Sequence, residues 1–460
     1  MPRLIIQNGR LIDPAAGLDT RADLVLEGGK VAAVHPASDG DAPPAPTPGR
    51  DPTPGDPGSD DLVLDATGLI VSPGLIDPHV HFREPGGEDK ETIATGCASA
   101  VAGGFTTVCV MPNTTPALDD DGRVEFVHRQ AEKAGLCHVF VVGAATKGRR
   151  GEELAEIGLM AKAGAVAFSD DGQAVASAAV MAKALAYVAM TGKVFMQHCE
   201  DPELGGGAMN AGTLATKLGL PGWPRVAEEL TLQRDLQLCQ SMNYACRYHA
   251  QHMTTARGVE ILRRAQQDAA DAGFHDVLTG EASPHHLLLT EDACANYDTH
   301  AKMNPPLRQA ADVDALKAGL ADGTITVLAT DHAPHTAEEK ALEFAAAPYG
   351  IVGLDCALPL YVKALVEPGV IGWPKLLELL TINPARLCGL DNKGTLAVGS
   401  DADVTLIDPD VDWTLDVEQF ASQGRNCPFD GWPVRGRAVA TIVDSQIKHR
   451  APGFPEPAAR

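Results

Sequence analysis

The stretch Leu69-Ile-Val-Ser-Pro-Gly-Leu-Ile76, followed by Asp77-Pro-His79-Val-His81-Phe-Arg83, indicates how the chain folds. An apolar run typical of a buried strand leads directly into polar side chains. Helical patterns such as Val226–Cys239 and Ala256–Asp271 separate most of the seven strand-like runs that follow: Phe105–Met111, His138–Ala144, Ala165–Ser169, Val194–His198, Tyr248–His252, Asp276–Ala282 and Thr326–Thr330. Eight strand–helix units in order predict an α/β fold with a (β/α)8 TIM barrel.

Strand-like sequence also lies at both ends of the chain, around Leu4–Ile6 and Leu24–Leu26 and again at Asp403–Asp408 and Ala438–Val443. Strands at both ends predict that the termini meet and build one small β-sandwich domain beside the barrel. The predicted boundaries are residues 1–70 and 393–450 for the two parts of that domain, 71–392 for the barrel and 451–460 for a loose tail.

Residues 36–61 differ in composition from the rest of the chain. They include eight prolines, six aspartates and no apolar side chain larger than alanine. Such a segment cannot bury enough surface to offset its chain entropy. It is therefore predicted to be a disordered surface insert within the first part of the small domain.

Charge and hydropathy exclude several classes of protein. The net charge of −24 argues against a nucleic-acid partner, because phosphate binding needs clustered lysine and arginine. No stretch approaches the ~20 apolar residues that span a bilayer, and the N-terminus lacks the apolar core of a secretory signal. Ten scattered cysteines with no Cys-x-x-Cys spacing indicate reduced, mostly buried thiols. A cytoplasmic protein with no membrane partner is predicted.

Polar residues follow several of the predicted strands, and barrel active sites lie at those C-terminal strand ends. His79 and His81, at i and i+2 on an extended segment, point the same way and can bind one metal ion. Histidine or aspartate also follows strands four, five, six and eight. Nitrogen and carboxylate ligands without paired cysteines suit zinc, and the pattern predicts two ions.

The later strands supply the remaining candidate ligands. His198 and His252 follow strands five and six and are predicted to bind the second ion, while Asp170 or Asp171 after strand four could bridge the two. Asp331 after strand eight could ligate the first ion and face the attacking water. Zinc lowers the pKa of bound water from 15.7 to roughly 7, and a neighbouring carboxylate can move its proton. This chemistry is reversible amide or imide hydrolysis.

Several motifs together resemble bacterial class I dihydroorotases, over nearly the whole chain outside the insert and the tail. They are His79-Val-His-Phe-Arg-Glu-Pro-Gly86, Met111-Pro-Asn-Thr114, Ser169-Asp-Asp-Gly172, Ser283-Pro-His-His286, Met303-Asn-Pro-Pro-Leu-Arg308 and Asp331-His-Ala-Pro-His335. The resemblance implies the reversible cyclisation of N-carbamoyl-L-aspartate to (S)-dihydroorotate and water, the third step of de novo pyrimidine biosynthesis. It also implies a homodimer, with possible association with aspartate transcarbamoylase.

The resemblance assigns a role to each matching residue. It implies that Asp171 is the bridge between a zinc ion on His79 and His81 and a second on His198 and His252. Asp331 is implied to be both the catalytic acid/base and a ligand. The implied substrate contacts are His81, Arg83, Asn113, Asn304, His335, Tyr349 and Gly350. Independently, the planar guanidinium of Arg83 suits the carboxylate beside the dihydroorotate ring.

Two other interpretations remain open. Hydantoinases, dihydropyrimidinases and allantoinases resemble this fold but usually bridge their metals with a carboxylated lysine, and no lysine occupies the matching position. Some dihydroorotase-like chains have lost ligands and only support a transcarbamoylase, whereas every ligand position is filled here. The chain departs from the family pattern at Asp355-Cys356, where the family commonly has Glu-Thr, and in the segment 205–223. Both departures flank the expected pocket and therefore concern the substrate fit more than metal binding.

Overall fold

A computed structural model of the chain describes residues 3–36 and 61–459. In chain order, the strands are β1 (Leu4–Asp13), β2 (Leu18–Glu27), β3 (Lys30–Pro36), β4 (Leu62–Asp65), β5 (Ile70–Pro73), β6 (Leu75–Val80), β7 (Phe105–Val110), β8 (His138–Ala144), β9 (Ala165–Ser169), β10 (Val194–Gln197), β11 (Met209–Asn210), β12 (Gly222–Trp223), β13 (Arg247–Ala250), β14 (Leu278–Ala282), β15 (Val327–Leu328), β16 (Val404–Thr414), β17 (Pro433–Val443), β18 (Gln446–Arg450) and β19 (Ala458–Ala459).

The helices lie mainly between the barrel strands. They are α1 (Ile93–Ala102), α2 (Asp121–Ala134), α3 (Ile157–Lys162), α4 (Ala178–Ala189), α5 (Thr213–Leu218), α6 (Val226–Ser241), α7 (Ala256–Asp271), α8 (Pro284–Leu288), α9 (Ala310–Asp322), α10 (Ala337–Lys340), α11 (Ala357–Tyr361), α12 (Trp373–Leu380) and α13 (Ile382–Cys388). Both helices named from the sequence are present, and α7 has the predicted bounds.

The predicted (β/α)8 barrel is confirmed. Strands β6, β7, β8, β9, β10, β13, β14 and β15 form one parallel sheet in that order, with helices around it. A parallel bridge between Val80 and His332 joins the first strand to the segment after the last, and the backbone N–H of His81 donates to the His332 carbonyl at 2.8 Å. The barrel is therefore closed, and the residues that follow its strands converge on one end.

The apolar run Leu69–Ile76 forms two strands rather than the single predicted one. Strand β5 pairs with β1 and β16 in the second sheet, whereas β6 begins the barrel at Leu75. Gly74 lies at the crossing, where an added Cβ would lie 2.1 Å from Oγ1 of Thr106. Both strands are buried on both faces, so the hydrophobic pattern gives no sign of the boundary.

The small domain is built from both chain ends, as predicted. Strands β1 to β5 and β16 to β19 share one nine-stranded sheet around a core of its own. A loose tail was predicted at 451–460, but within it Ala458 and Ala459 pair antiparallel with Val63 and Leu62 of β4. A strand edge offers unpaired backbone groups, and the C-terminal residues pair with those of β4.

The predicted insert lies almost entirely outside the described residues, but the residues at its two ends are described. Residues 37–60 lie outside the described residues, but Pro36 pairs with Ala22 at the end of β3, and buried Asp61 accepts a hydrogen bond of 3.0 Å from Nε of Arg3.

All ten cysteines are free and buried, as predicted. No helix in the described residues is long and apolar enough to cross a membrane.

Deletion of residues 37–60 should leave turnover nearly unchanged, because their sequence contains no candidate ligand and no large apolar side chain. Pro36 and Asp61 should be kept. From the strand register their ends lie about 22 Å apart, so a Gly/Ser linker of about ten residues is needed. The measurement is kcat/KM of the folded deletion variant, compared with a chain whose residues 37–60 are replaced by Gly/Ser of equal length. A large loss in both variants would contradict dispensability, whereas a loss confined to the deletion would show that the linker is too short.

Candidate active site

The structure brings all six predicted metal ligands together at the C-terminal end of the barrel. His79 lies near the end of β6, and the others follow β6, β9, β10, β13 and β15 within three residues of the strand end. All six side chains are buried: His79, His81, Asp171, His198, His252 and Asp331. Parallel strands end at the same rim of a barrel, so residues distant in sequence can meet there.

Three of these residues form a first group that could hold a metal ion. Nε2 of His79 and Nε2 of His81 each lie 3.4 Å from Oδ2 of Asp171. Oδ1 of Asp331 lies 2.9 Å from Nε2 of His81 and 3.5 Å from Nε2 of His79. Two imidazole nitrogens and two carboxylate oxygens therefore face the same small volume, which is a donor set that suits zinc.

The other oxygen of Asp171 faces a second group. Its Oδ1 lies 3.5 Å from Nε2 of His252 and 3.7 Å from Nδ1 of His198, and these three residues could also hold an ion. Within the described residues, Oδ1 of Asp171 and Nε2 of His79 are buried without a hydrogen-bond partner. Buried polar atoms normally have partners, so these unpartnered atoms fit a site that binds metal.

Asp170, the alternative bridge considered from sequence, points away from the histidines. Its Oδ1 accepts hydrogen bonds of 3.0 Å from the backbone N–H groups of Ala145 and Thr146. Burial raises the pKa of the Asp170 carboxyl to about 6, although these bonds oppose the rise. Asp170 thus fixes the turn after β9, and of the two aspartates it is Asp171 that faces the histidines.

The carboxylates of the site remain ionised despite their burial. Burial alone would raise the pKa of Asp331, but the hydrogen bond from His81 and the positive charge of His79 outweigh it and hold that pKa well below its ordinary value. For Asp171, the charge of His79 and the nearby Nε2 of His252, 3.5 Å from Oδ1, likewise outweigh burial and hold the pKa well below its ordinary value. An ionised carboxylate can ligate a metal or accept a proton.

Two acidic residues beside the histidines are not among those predicted from the sequence. Glu281, at the end of β14, has Oε1 at 2.6 Å from Nδ1 of His79 and Oε2 at 2.9 Å from Nε2 of His249. Oε2 of Glu200 lies 2.9 Å from Nε2 of His198. Such partners fix which ring nitrogen faces the centre. The sequence did contain a sign of Glu281, because it is a glutamate within a predicted barrel strand. Acidic side chains are rarely buried without a partner, so a nearby partner could have been expected.

The predicted substrate contacts Arg83, His335 and Tyr349 form a connected group beside the ligands. Nε of Arg83 donates to the Pro334 carbonyl at 3.2 Å, and a terminal guanidinium nitrogen lies 3.5 Å from Nε2 of His335. That Nε2 lies 2.7 Å from the Tyr349 carbonyl. Burial lowers the pKa of Arg83 to about 10, so it remains a cation at neutral pH. No carboxylate in the described residues forms an ion pair with it.

The remaining predicted contacts have different surroundings. Oδ1 of Asn113 lies 2.7 Å from Nδ1 of His81, beside the metal ligands. Oδ1 of Asn304 is buried and has no hydrogen-bond partner in the described part of the chain. Gly350 has φ of +132°, and an added Cβ would lie 2.8 Å from Cβ of Ala333, so this position requires glycine.

The two departures from the family pattern lie in different places. Segment 205–223 packs on Tyr349, whose hydroxyl donates to the Gly207 carbonyl at 3.0 Å and whose ring centroid lies 5.5 Å from that of Trp223. Asp355 instead accepts hydrogen bonds from Oγ of Ser99 at 2.5 Å and from the backbone N–H of Ala421 at 2.8 Å. The first departure therefore adjoins a predicted substrate contact, whereas Asp355 binds the C-terminal part of the chain.

Known proteins resemble this chain in sequence and in structure. The Dihydro-orotase-like family model matches residues 68–257. A dihydroorotase from Syntrophotalea carbinolica is 45% identical over 449 residues, which cover 97% of this chain and 99% of the relative. A dihydroorotase from Pelotomaculum thermopropionicum is 45% identical over 446 residues, which cover 97% of this chain and 98% of the relative. The solved L-hydantoinase from Arthrobacter aurescens has a TM-score of 0.82 and 27% sequence identity, and the match covers 99% of this chain and 98% of the hydantoinase. The chain belongs to the dihydroorotase family.

Proposed function

We propose that this protein interconverts N-carbamoyl-L-aspartate and (S)-dihydroorotate plus water. The observation that carries the proposal is Arg83, a partly buried guanidinium next to a cluster of candidate metal ligands and without a carboxylate partner among the described residues. A partly buried cation without a carboxylate partner gains an anionic partner when an acidic substrate binds. Both carbamoyl aspartate and dihydroorotate carry the carboxylate that it would bind.

We further propose that the site holds two zinc ions. His79, His81 and Asp331 would hold one ion, His198 and His252 the other, and Asp171 would lie between them. The donor distances and the unpartnered buried atoms support this assignment. When bound, zinc supplies a Lewis acid that polarises a carbonyl and lowers the pKa of water to roughly 7.

Asp331 is proposed to move the proton. In the hydrolytic direction its carboxylate accepts a proton from the attacking water, and the water oxygen bonds to the ring carbonyl carbon. Asp331 then gives the proton to the ring nitrogen as the carbon–nitrogen bond breaks. Ring closure reverses these steps, as microscopic reversibility requires. The position of Asp331 supports this role, because its Oδ1 lies 2.9 Å from Nε2 of His81 among the candidate ligands and its carboxylate is ionised at the start of hydrolysis.

The substrate is proposed to lie between the ligands and the Arg83 group. Arg83 would bind the carboxylate, and His335, Asn113 and Asn304 would add hydrogen bonds. His81 would also adjoin the substrate, since it contacts Asn113. The backbone of Tyr349 and Gly350 would hold the edge of the ring, and the His335–Tyr349 contact supports a common surface for these groups.

Hydantoinase-like activity is the nearest alternative, since a hydantoinase shares the fold. The carboxylate of Asp171 lies within 3.7 Å of a nitrogen of each of the four candidate histidine ligands, so no carboxylated lysine is needed to join the two groups. Arg83 also favours an acidic substrate over an uncharged one.

A non-catalytic role beside a transcarbamoylase is disfavoured, because all six ligand positions are filled. Family resemblance supports a cytoplasmic homodimer that can associate with aspartate transcarbamoylase.

Arg83→Met should lower kcat/KM by about 10²-fold or more, because removing one partner of a buried charge pair costs about 2–5 kcal/mol. Zinc content should remain near that of the wild type. The measurement is ring opening of dihydroorotate and ring closure of carbamoyl aspartate, alongside metal analysis. Arg10→Met is the matched control, since Arg10 is exposed and pairs with Asp19 on the small domain. Normal turnover by Arg83→Met would remove the main support for an acidic substrate.

Zinc alone should restore activity to metal-free protein, because the proposed bridge is the Asp171 carboxylate and no carbon dioxide is needed to build it. Rates after zinc return should be equal in bicarbonate-free buffer and in buffer with added bicarbonate. Mass spectrometry of the reconstituted protein should show no lysine with an extra carboxyl group. A bicarbonate requirement, or such a lysine, would contradict the Asp171 bridge and favour the hydantoinase-type site.

Asp331→Asn should slow both directions by about 10²-fold or more, because an amide can offer an oxygen to zinc but cannot carry the proton. The histidine-bound metals should largely remain. The measurement is single-turnover and steady-state rates in both directions at matched zinc occupancy. If near-normal rates returned once zinc occupancy was restored, Asp331 would be a ligand only, and the acid/base assignment would fail.

A further inference from the structure

Residues 421–427 leave the C-terminal part of the chain and lie against the mouth of the barrel. The backbone N–H of Ala421 donates to Asp355, as described above, and the hydroxyl of Ser422 donates to the buried carboxylate of Glu91. Glu91 lies two residues before α1, and Asp355 lies after the last barrel strand. The segment is therefore fixed to the barrel at two points before it reaches Asn426.

The side chain of Asn426 uses all of its polar atoms on the loops that carry predicted substrate contacts. Its Nδ2 donates to the carbonyls of Ala333, at 3.1 Å, and Gly350, at 3.0 Å. Its Oδ1 accepts a hydrogen bond of 3.0 Å from the backbone N–H of His335. Its own carbonyl accepts a hydrogen bond of 3.0 Å from the backbone N–H of Val352. Asn426 is 2% exposed, so water does not compete with these bonds.

These bonds control the backbone that orients Arg83. Ala333 and His335 flank Pro334, whose carbonyl accepts the hydrogen bond from Nε of Arg83. Asn426 binds the residue on each side of that carbonyl and also binds Gly350. One side chain thus links the segment that orients the guanidinium to the segment proposed to hold the substrate ring.

Close packing at Gly424 gives independent evidence that the segment is fitted to the site. A Cβ added there would lie 2.6 Å from Cγ1 of Val352, 2.8 Å from Cβ of Pro334 and 3.0 Å from Oδ1 of Asn426. These distances are too short for any side chain, so the backbone touches the same two loops that Asn426 binds. Only glycine permits this approach without displacing Pro334 or Val352.

We infer that Asn426 is a positioning residue for substrate binding, acting through Pro334 on Arg83 and through Gly350 on the substrate ring. The identity of the substrate in this inference rests on the proposed function. Asn426 touches neither the candidate metal ligands nor the proposed substrate. Its loss should therefore weaken binding of the acidic substrate more than it slows the chemical step, which depends on Asp331 and the metals.

The test is Asn426→Ala and Asn426→Asp, with Gln423→Ala as the matched control, since Gln423 lies in the same segment with an exposed side chain. Displaced positioning groups cost roughly 10- to 100-fold, so kcat/KM for dihydroorotate should fall by that amount, mainly through KM. Zinc content should stay near wild type. Hydrogen–deuterium exchange should become faster in residues 333–336 and 349–352 but not in residues 138–144, within the barrel.

The kinetic measurement and the amide-exchange measurement distinguish a failure of the inference from a failure of the proposed function. If wild-type protein did not turn over dihydroorotate, the proposed function would fail, and amide exchange would still test the loop-positioning part of the inference. If wild-type protein were active and both Asn426 variants kept its KM and its exchange rates, the inference would be overturned. A lower melting temperature with unchanged KM would also overturn it. If Asn426→Ala did not fold, Gly424→Ala would replace it, with the same KM and exchange changes expected.

Discussion

The backbone N–H of His81 donates to the carbonyl of His332 across the seam where the first and last barrel strands meet. Beside this bond, the carboxylate of Asp77 accepts hydrogen bonds from the hydroxyl of Thr330, at 2.6 Å, and from its N–H. Only this closure brings Asp331 to the first pair of histidines, from about 250 residues away in the sequence. Closing so long a loop costs chain entropy, and the continuous apolar core around the strands offsets it.

Closure also buries charge, and the surrounding residues are arranged to tolerate it. Asp171, Asp331 and Glu281 are all buried, and each lies within 3.5 Å of at least one histidine nitrogen. Left-handed backbone, which costs about 1–2 kcal/mol for a residue other than glycine, occurs at Arg83 and Asp331. Such conformations persist where the surrounding structure determines them, which is typical of functional sites. The stability of the barrel thus permits a geometry that its local sequence would not adopt.

The features that depend on local hydrophobic periodicity could be predicted from the sequence. Eight strand-like runs in order predicted the barrel, and polar residues at strand ends predicted which side chains would converge. Periodicity could not locate the crossing at Gly74, because the strands on both sides are buried, and it could not show that Ala458 would pair with Val63. The roles of Glu281 and Asn426 depend on contacts with segments that are distant in the sequence. Residue spacing near either position does not indicate these contacts, so they are known only from the structure.

The two halves of the site are held by different kinds of structure. The candidate metal ligands lie on or directly after barrel strands, where closure and burial leave them little freedom. Arg83 and His335, by contrast, are oriented by loops, and the bonds that fix those loops come from Asn426 in the C-terminal part of the chain. Loops on a rigid scaffold can change without loss of the barrel. Substrate recognition can therefore vary among proteins of this fold while the metal-binding end of the barrel keeps its form.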